Sequence, residues 1–207
     1  MSNLTLYHAA PSRSSLVRWM LEEIGVPYDI ELLVLTEGEH LTADYKAINP
    51  MAKVPALRHG DVVVTEAAAI CTYLADEFPD AELNIPIGDP LRGDYLKWLF
   101  FGPSCIEPAM MDAAYPRKEE PRRGTLGYGS LERVMEVVAQ GVATGPYLLG
   151  ERFTAADVVV GSTLRFGVMF KLLPELPVVM DYIARLQARP AMQRTLALDE
   201  ELAASQS

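Results

Sequence analysis

The segment from Asn49 to Leu57, which reads NPMAKVPAL, constrains the fold of this chain more than any other stretch. Pro55 fixes its own φ angle, has no amide hydrogen to donate, and pushes Val54 into an extended conformation. The chain is therefore predicted to enter a strand at Ala56 through a proline, which leaves Val54 with an unpaired backbone edge. Such an edge can pair with an extended, peptide-like ligand.

The residues before this segment predict a βαβ unit. Residues 4–7 have a strand pattern, residues 16–24 carry apolar side chains at helical spacing, and residues 28–35 form a second predicted strand. Gly25 stands where a carboxyl-terminal helix cap belongs, and Pro27 prevents the helix from continuing. A crossover of this kind normally joins parallel strands and binds ligands outside their carboxyl ends. The loop at residues 9–15 lies at that end.

The residues after Pro55 predict a hairpin and a closing helix. Residues 56–58 and 62–64 flank His59-Gly60-Asp61, which is a hairpin signal, and an apolar helix is expected over residues 66–78. A shorter, polar helical stretch over residues 41–48 precedes the segment. Together these elements predict an α/β domain over residues 1–80, followed by a linker over residues 81–89.

The remaining chain, residues 90–207, is predicted to be all-helical. Five segments have helical spacing or strong helix formers, and prolines or Gly145-Pro146 separate them: residues 91–101, 126–142, 155–170, 178–188 and 191–203. Thr154 and Asp157 open the third of these segments as a capping box, in which each side chain satisfies a free amide at the helix start.

Composition excludes several classes of function. The net charge is −10, so phosphate backbones should not be attracted and nucleic acid is not an expected partner. Residues 1–11 lack a charged leader followed by an apolar core, and no apolar run approaches the roughly 20 residues that a membrane span requires. Two cysteines are too few for a disulfide framework, and the sequence contains no metal-spaced cluster. We expect a cytoplasmic, globular protein with neither a metal nor a membrane partner.

The order and spacing of several motifs resemble those of the cytosolic glutathione S-transferase family, with theta-like features in the glutathione-binding half. The motifs are Gly38-x-His40, the segment from Asn49 to Leu57, Thr65-Glu66-Ala67-x-Ala69-Ile70, and Phe153-Thr154-x-Ala156-Asp157. The resemblance covers essentially the whole chain. It implies a thioredoxin-like amino-terminal domain (βαβ-ββα) followed by an all-helical domain, and assembly as a homodimer.

The resemblance also implies how glutathione would be held. Val54 would exchange main-chain hydrogen bonds with the cysteinyl unit beside a cis Pro55 peptide, and His40 and Lys53 would face the glycyl carboxylate. Glu66 would receive the γ-glutamyl ammonium, and the helix that follows would offer its amides to the neighbouring carboxylate. Ala67 replaces the serine that relatives usually have, which removes a donor worth about 1 kcal/mol.

Structural alternatives stay open for each of these positions. Pro55 can be an ordinary trans proline at the start of an edge strand. Lys53 can be a solvated loop residue, His40 a surface residue at a helix start, and Glu66 a plain helix cap.

The thiolate of glutathione is the nucleophile, and a nearby hydroxyl donor favours it. The resemblance implies that this donor lies in the first loop, where relatives have a Tyr, Ser or Cys. The loop offers Ser12, Ser14 and Ser15, and Tyr7 lies just before them on the strand. An ungapped comparison with theta-class relatives puts Pro11 at their serine position. We rank Ser12 first because it precedes the helix and can face the ligand, and Ser14 second; either can instead be a helix cap. The loop contains no cysteine, which argues against subclasses that form a mixed disulfide at this position.

The electrophile should be apolar, and the first helix of the second domain offers a wall for it. Tyr95, Trp98 and Phe101 are the candidates, with Met110 and Met111 beyond them, although core packing is the commoner role of such spacing. The sequence leaves three functions open: conjugation to an electrophile, peroxide or disulfide reduction by the same thiolate, and a scaffold role without turnover. Cys71 should be a buried small hydrophobe, and Cys105, His8 and His59 have no assigned role.

Overall fold

A computed structural model of the chain describes residues 3–119, 121–122 and 124–205. Its helices are α1 Ser15–Ile24, α2 Ala43–Ile48, α3 Ala67–Glu77, α4 Arg92–Phe101, α5 Glu107–Ala114, α6 Leu131–Val142, α7 Ala155–Met169, α8 Pro177–Gln187 and α9 Pro190–Ser205. Contacts group the chain into two compact units. One contains the residues up to Glu82 and those from Arg189 onward, and the other spans Leu83–Ala188.

The first unit is built on a mixed four-stranded sheet. The strands β1 Leu4–His8, β2 Asp29–Leu32, β3 Ala56–His59 and β4 Val62–Thr65 lie in the order β2-β1-β3-β4. β1 is parallel to β2, as the βαβ pattern predicts, and β3 is antiparallel to both β1 and β4. The thioredoxin-like arrangement predicted from the sequence is confirmed, and an all-helical region follows it.

The burial of α1 in the first unit explains its apolar sequence, and Gly25 explains where the helix ends. Helix α1 is buried on several sides: Val17, Trp19 and Met20, which point in different directions, are each at most 1% exposed. Gly25 ends the helix in the left-handed conformation at φ 76°, and its amide donates to the Leu21 carbonyl. The predicted cap is confirmed.

The carboxyl-terminal helix α9 packs against α1 in the first unit. Two arginines beside or within α9 pair with α1: Arg189 makes a two-pronged contact with the Glu23 carboxylate at 2.7 and 2.8 Å, and Arg194 donates to Glu22 at 2.9 Å. The two compact units thus differ from the predicted division into a domain at 1–80, a linker at 81–89 and a domain at 90–207. That division stays a prediction. The difference arises because ion pairs across more than 160 residues leave no periodic signal in the sequence.

The second unit consists of α4 to α8. The predicted capping box at the start of α7 is confirmed: the Asp157 carboxylate accepts from the Thr154 amide at 2.9 Å. The same carboxylate accepts from the Leu148 amide and the Tyr182 hydroxyl, both at 2.9 Å. Asp157 therefore joins the preceding loop, α7 and α8 through one buried group.

Two helix predictions in this unit are wrong. The sequence predicts that Pro103 and Pro108 separate helices, but the chain continues through a π-helical turn at Gly102–Ile106 into α5. Pro108 lies in the first turn of α5, directly after the π-helical turn, and the helix continues past it. The helix predicted from residue 126 begins only at Leu131, because Gly129 adopts φ 77° before the Ser130 cap. Within the described ranges, no helix is both long enough and apolar enough to cross a membrane.

Candidate functional site

The sheet register brings three segments of the first unit to one end. Tyr7 of β1 pairs with Ala56, and Ala56 pairs with Thr65 of β4. The loop that follows β1, the Val54-Pro55 peptide and Glu66 therefore all lie at this end. This end of the sheet is where the βαβ pattern predicts a ligand.

The Val54-Pro55 peptide is cis, as the resemblance implied. Val54 is half-buried, and in the described part of the chain neither its amide nor its carbonyl pairs with other backbone. Two hydrogen bonds to the Lys53 carbonyl hold the loop before Val54 in place. The Tyr45 hydroxyl donates at 2.6 Å and the Asn49 side-chain amide at 2.7 Å. These bonds leave the Val54 edge open while keeping it in place.

The two candidate cations differ in their surroundings. Lys53 is exposed, so its ammonium is available to a ligand carboxylate. His40 lies in a single 3₁₀ turn, Glu39–Leu41, and its buried Nδ1 atom has no hydrogen-bond partner among the described residues. A buried polar atom without a partner is rare in a folded protein and marks a position that a ligand can complete.

Glu66 does not cap the helix that it precedes. Its side chain is exposed and makes no capping hydrogen bond to the first turn of α3. Its backbone has φ 69° and ψ 114°, an unfavourable conformation for a residue with a side chain. The Glu66 carboxylate therefore does not bond the amides at the start of α3, so an anionic group and backbone donors lie next to each other. Ala67, the first residue of α3, is half-buried beside them.

The two candidate serines of the first loop have different environments. Ser12 is half-buried, and its hydroxyl contacts the Ser14 hydroxyl at 2.6 Å and accepts from the Ser14 amide at 3.1 Å. Ser14 is completely buried, and its hydroxyl contacts His8 Nδ1 at 2.7 Å and both the amide and the carbonyl of Ala9 at 3.1 Å. Of the two, only Ser12 has a side chain that a ligand can reach, and Ser14 lies behind it.

His8 and Asp199 extend this arrangement inward, and neither was predicted from the sequence. His8 is completely buried, and its Nε2 atom lies 3.1 Å from Asp199 Oδ1 of α9. Arg18 of α1 donates to the same oxygen at 2.8 Å. Burial opposes ionisation of Asp199, but hydrogen bonds from His8, Ser15 and Arg18 outweigh it and hold the pKa of this carboxyl below its ordinary value. One signal for His8 was present: it continues the inward-facing alternation of Leu4 and Leu6 in β1.

The aromatic candidates of α4 lie mainly in the core of the second unit. Tyr95 is 0% exposed and Trp98 is 4% exposed, so packing accounts for both. Trp98 lies so close to α6 that a Cβ atom at Gly141 would come within 2.3 Å of its ring. Phe101, half-buried and edge-on to Trp98, is the candidate with surface left for a ligand.

Cys71 and His59 have structural surroundings of their own. Cys71 is completely buried, and burial raises the pKa of its thiol far above the ordinary value, as expected for a small core hydrophobe. His59 bonds the Tyr73 hydroxyl at 2.9 Å through Nδ1. Among the residues that the structure describes, no group of His, Cys, Asp and Glu could hold a metal ion.

Comparison with known proteins gives one consistent result. Residues 2–76 match the family model for the glutathione S-transferase N-terminal domain. Glutathione S-transferase GstA of Escherichia coli O157:H7 is 30% identical over 158 residues, which cover 75% of this chain and 78% of that protein. A glutathione transferase of Methylococcus capsulatus strain Bath has a crystal structure with a TM-score of 0.79 and 30% identity, covering 95% of this chain and 98% of the other. A glutathione transferase family member from Pseudomonas fluorescens Pf-5, solved with two glutathione molecules bound, has a TM-score of 0.75 and 25% identity, covering 93% and 92%.

Proposed function

This chain belongs to the glutathione S-transferase family, and on that premise we propose that it binds glutathione at the end of the sheet beside Val54 and transfers it to an apolar electrophile. The observation that carries the proposal is the open Val54 edge behind the cis Pro55 peptide. An extended tripeptide can add to such an edge as a short strand. The family member from Pseudomonas fluorescens was solved with glutathione bound, which supports this choice of ligand.

The charges around this edge complement those of glutathione. Glu66 is exposed and would receive the γ-glutamyl ammonium, while the amides at the start of α3, including that of Ala67, would receive its carboxylate. Lys53 and His40, whose Nδ1 atom has no partner among the described residues, would receive the glycyl carboxylate. With its two ends held in this way, the cysteinyl unit would pair with Val54 and face the first loop.

The chemical step needs the thiolate of the bound glutathione. We assign the Ser12 hydroxyl as the group that faces the sulfur, because it is half-buried whereas Ser14 is completely enclosed. The thiolate attacks an electrophilic carbon and forms the S–C bond, and the electron pair of the broken bond leaves with the departing group or moves into the acceptor system.

Calorimetric titration with glutathione tests the binding site. Lys53→Ala should weaken binding about tenfold, because a hydrogen bond to a charged group contributes about 1.5 kcal/mol or more. Lys46→Ala, at an exposed lysine of α2, is the matched control and should leave the affinity unchanged. If wild type gives no heat at millimolar glutathione, the enzyme interpretation fails and a scaffold role takes its place. Equal affinity of Lys53→Ala and wild type would remove Lys53 from the site.

We also propose that the protein is a homodimer, as the family resemblance implies. Three apolar side chains of the first unit are exposed to solvent: Met51 is 69% exposed, Val62 48% and Val63 38%. This exposure supports an apolar interface on this unit. Sedimentation equilibrium tests this proposal. Wild type should have twice the monomer mass, and Met51→Lys should move the equilibrium toward monomer.

A further inference from the structure

A continuous chain of polar atoms leads from the first loop into the interior of the first unit. The Ser12 and Ser14 hydroxyls are 2.6 Å apart, Ser14 Oγ is 2.7 Å from His8 Nδ1, and His8 Nε2 is 3.1 Å from Asp199 Oδ1. Ser12 is half-buried, whereas Ser14 and His8 are completely buried. Every link is short enough for a hydrogen bond. Of these groups, the Ser12 hydroxyl is the one accessible to a ligand that binds at the sheet end.

The direction of these hydrogen bonds follows from the chemistry of their ends. An ionised carboxylate only accepts, so His8 Nε2 carries the hydrogen that faces Asp199. In a neutral imidazole the other nitrogen is then an acceptor, and Ser14 donates to His8 Nδ1. Because the Ser14 oxygen also accepts from the Ala9 amide, its remaining position accepts the hydrogen of Ser12. In this state the Ser12 hydrogen points inward, and its oxygen is left to accept from outside.

Protonation of His8 reverses the whole chain. With hydrogens on both ring nitrogens, Nδ1 donates to Ser14. The Ser14 hydrogen turns toward Ser12 at 2.6 Å rather than toward the Ala9 carbonyl at 3.1 Å, and the Ser12 hydrogen turns outward. The outer hydroxyl thus accepts from a ligand when His8 is neutral and donates to it when His8 is charged. A thiol needs a hydrogen-bond acceptor before it ionises and a donor afterward. The Ser12 hydroxyl is that acceptor while His8 is neutral, and it is that donor once His8 is charged.

We propose that Ser12, Ser14 and His8 form a proton relay that takes the thiol proton of bound glutathione, and that Asp199 stabilises the resulting imidazolium. This inference rests on the proposed function. The S–H bond breaks and sulfur keeps the electron pair, while the thiol proton bonds to Ser12 Oγ. The Ser12 proton passes to Ser14, and the Ser14 proton passes to His8 Nδ1. The result is a thiolate that accepts from Ser12 and a charged His8 in the interior.

The surroundings of His8 fit this role. A buried imidazolium is costly unless an opposite charge pairs with it, and the Asp199 carboxylate meets its Nε2 atom directly. Arg18 from α1 contacts the same oxygen of Asp199 at 2.8 Å and keeps the carboxylate ionised. Asp199 from α9 thus pairs with the ring, and Arg18 from α1 pairs with that carboxylate.

Imidazole nuclear magnetic resonance of the wild-type protein tests the relay directly. The chain has 3 histidines, and His59→Gln and His40→Gln assign the His8 signals by elimination. Glutathione should change the His8 nitrogen signals from the neutral to the imidazolium pattern. S-methylglutathione has no thiol proton to transfer, so it should bind and leave His8 neutral. Binding of both ligands with the His8 signals unchanged overturns the relay alone, whereas no binding of either overturns the proposed function and the relay with it.

A matched pair of variants tests the part played by Asp199. Asp199→Asn keeps an oxygen that can accept from His8 and Arg18 but removes the charge. The apparent pKa of the bound thiol should therefore rise by about one unit, measured from the thiolate absorbance of the glutathione complex across a pH titration. Glu23→Gln removes the charge from another carboxylate that joins α1 to the α9 side, through Arg189, and does not contact His8. This control should keep the wild-type thiol pKa. Equal rises in the two variants would show that Asp199 acts only through packing of α9, and would overturn its role in the relay.

Discussion

Replacement of Asp157 by alanine should destabilise the helical unit far more than loss of a single hydrogen bond. Asp157 is 0% exposed, and its carboxylate accepts from two amides, those of Leu148 and Thr154, and from the Tyr182 hydroxyl. Alanine leaves the Leu148 amide and the Tyr182 hydroxyl buried without an acceptor, at about 1–2 kcal/mol each, and removes a helix cap worth about 1 kcal/mol. We expect a loss of about 3–5 kcal/mol in the free energy of unfolding.

The assay must report on the helical unit alone. The chain has 2 tryptophans, of which Trp19 belongs to the first unit and Trp98 to the second. In a Trp19→Phe background, urea unfolding followed by Trp98 fluorescence therefore measures the second unit. The comparison between Asp157 and Asp157→Ala is made within this background, so the cost of the Trp19 change cancels.

Two further variants test the part that the Asp157 carboxylate plays. Tyr182→Phe removes one donor and strands none, so it should cost about 1 kcal/mol. Asp157→Asn keeps one accepting oxygen but turns an amino group toward the Thr154 amide, so its loss should lie between those of the other two variants. If Asp157→Ala loses less than about 1 kcal/mol, the carboxylate is not the connection between the loop, α7 and α8 that its hydrogen bonds indicate.

Three other outcomes follow from particular contacts. Ala67→Ser restores a hydroxyl at the start of α3 and should tighten glutathione binding about fivefold in calorimetry; unchanged or weaker binding would contradict the proposed place of the γ-glutamyl group. Gly141→Ala places a Cβ atom 2.3 Å from the Trp98 ring, and the cost of overpacking should exceed the gain in helix propensity, for a net loss of about 1–2 kcal/mol in urea unfolding; a stabilised variant would refute the close packing. Because the pKa of Asp199 lies below its ordinary 3.8 in the folded state, the stability that this carboxyl contributes is present above pH 3.8 and is lost as the pH falls through its folded-state pKa. Urea unfolding of the first unit above and below that pH should show a steeper acid loss in wild type than in Asp199→Asn, and identical slopes would contradict the pairing of Asp199.

Features with a local cause are predictable from the sequence. The Gly25 cap, the β3-β4 hairpin and the capping box at Thr154 each depend on residues that are adjacent or one helical turn apart. The same locality explains the errors. A proline such as Pro108 is predicted to break a helix, but its effect depends on where the first turn of α5 begins, which packing decides.

The residues of the candidate site also differ in whether the sequence predicts them. The residues around Val54 and Glu66 are part of contiguous motifs, so the resemblance alone points to them. The burial that separates the two serines cannot be predicted in this way. Both are hydroxyls at the start of a helix, and only the packed structure encloses Ser14 while leaving Ser12 half-buried.

Short-range spacing in the sequence predicts most of the secondary elements, the proline-marked edge at Val54 and the family. It predicts neither α5 nor the start of α6. The tertiary structure alone decided what stands behind the first loop. His8 and Asp199 are 191 residues apart, and they meet because α9 packs on α1 beside the sheet. Neither residue has a local signal for the other, since a hydrogen bond between two isolated polar residues depends on how whole elements pack. The proline-marked edge at Val54 thus follows from the sequence, and the chain of hydroxyls and imidazole at the same end of the sheet follows from the fold.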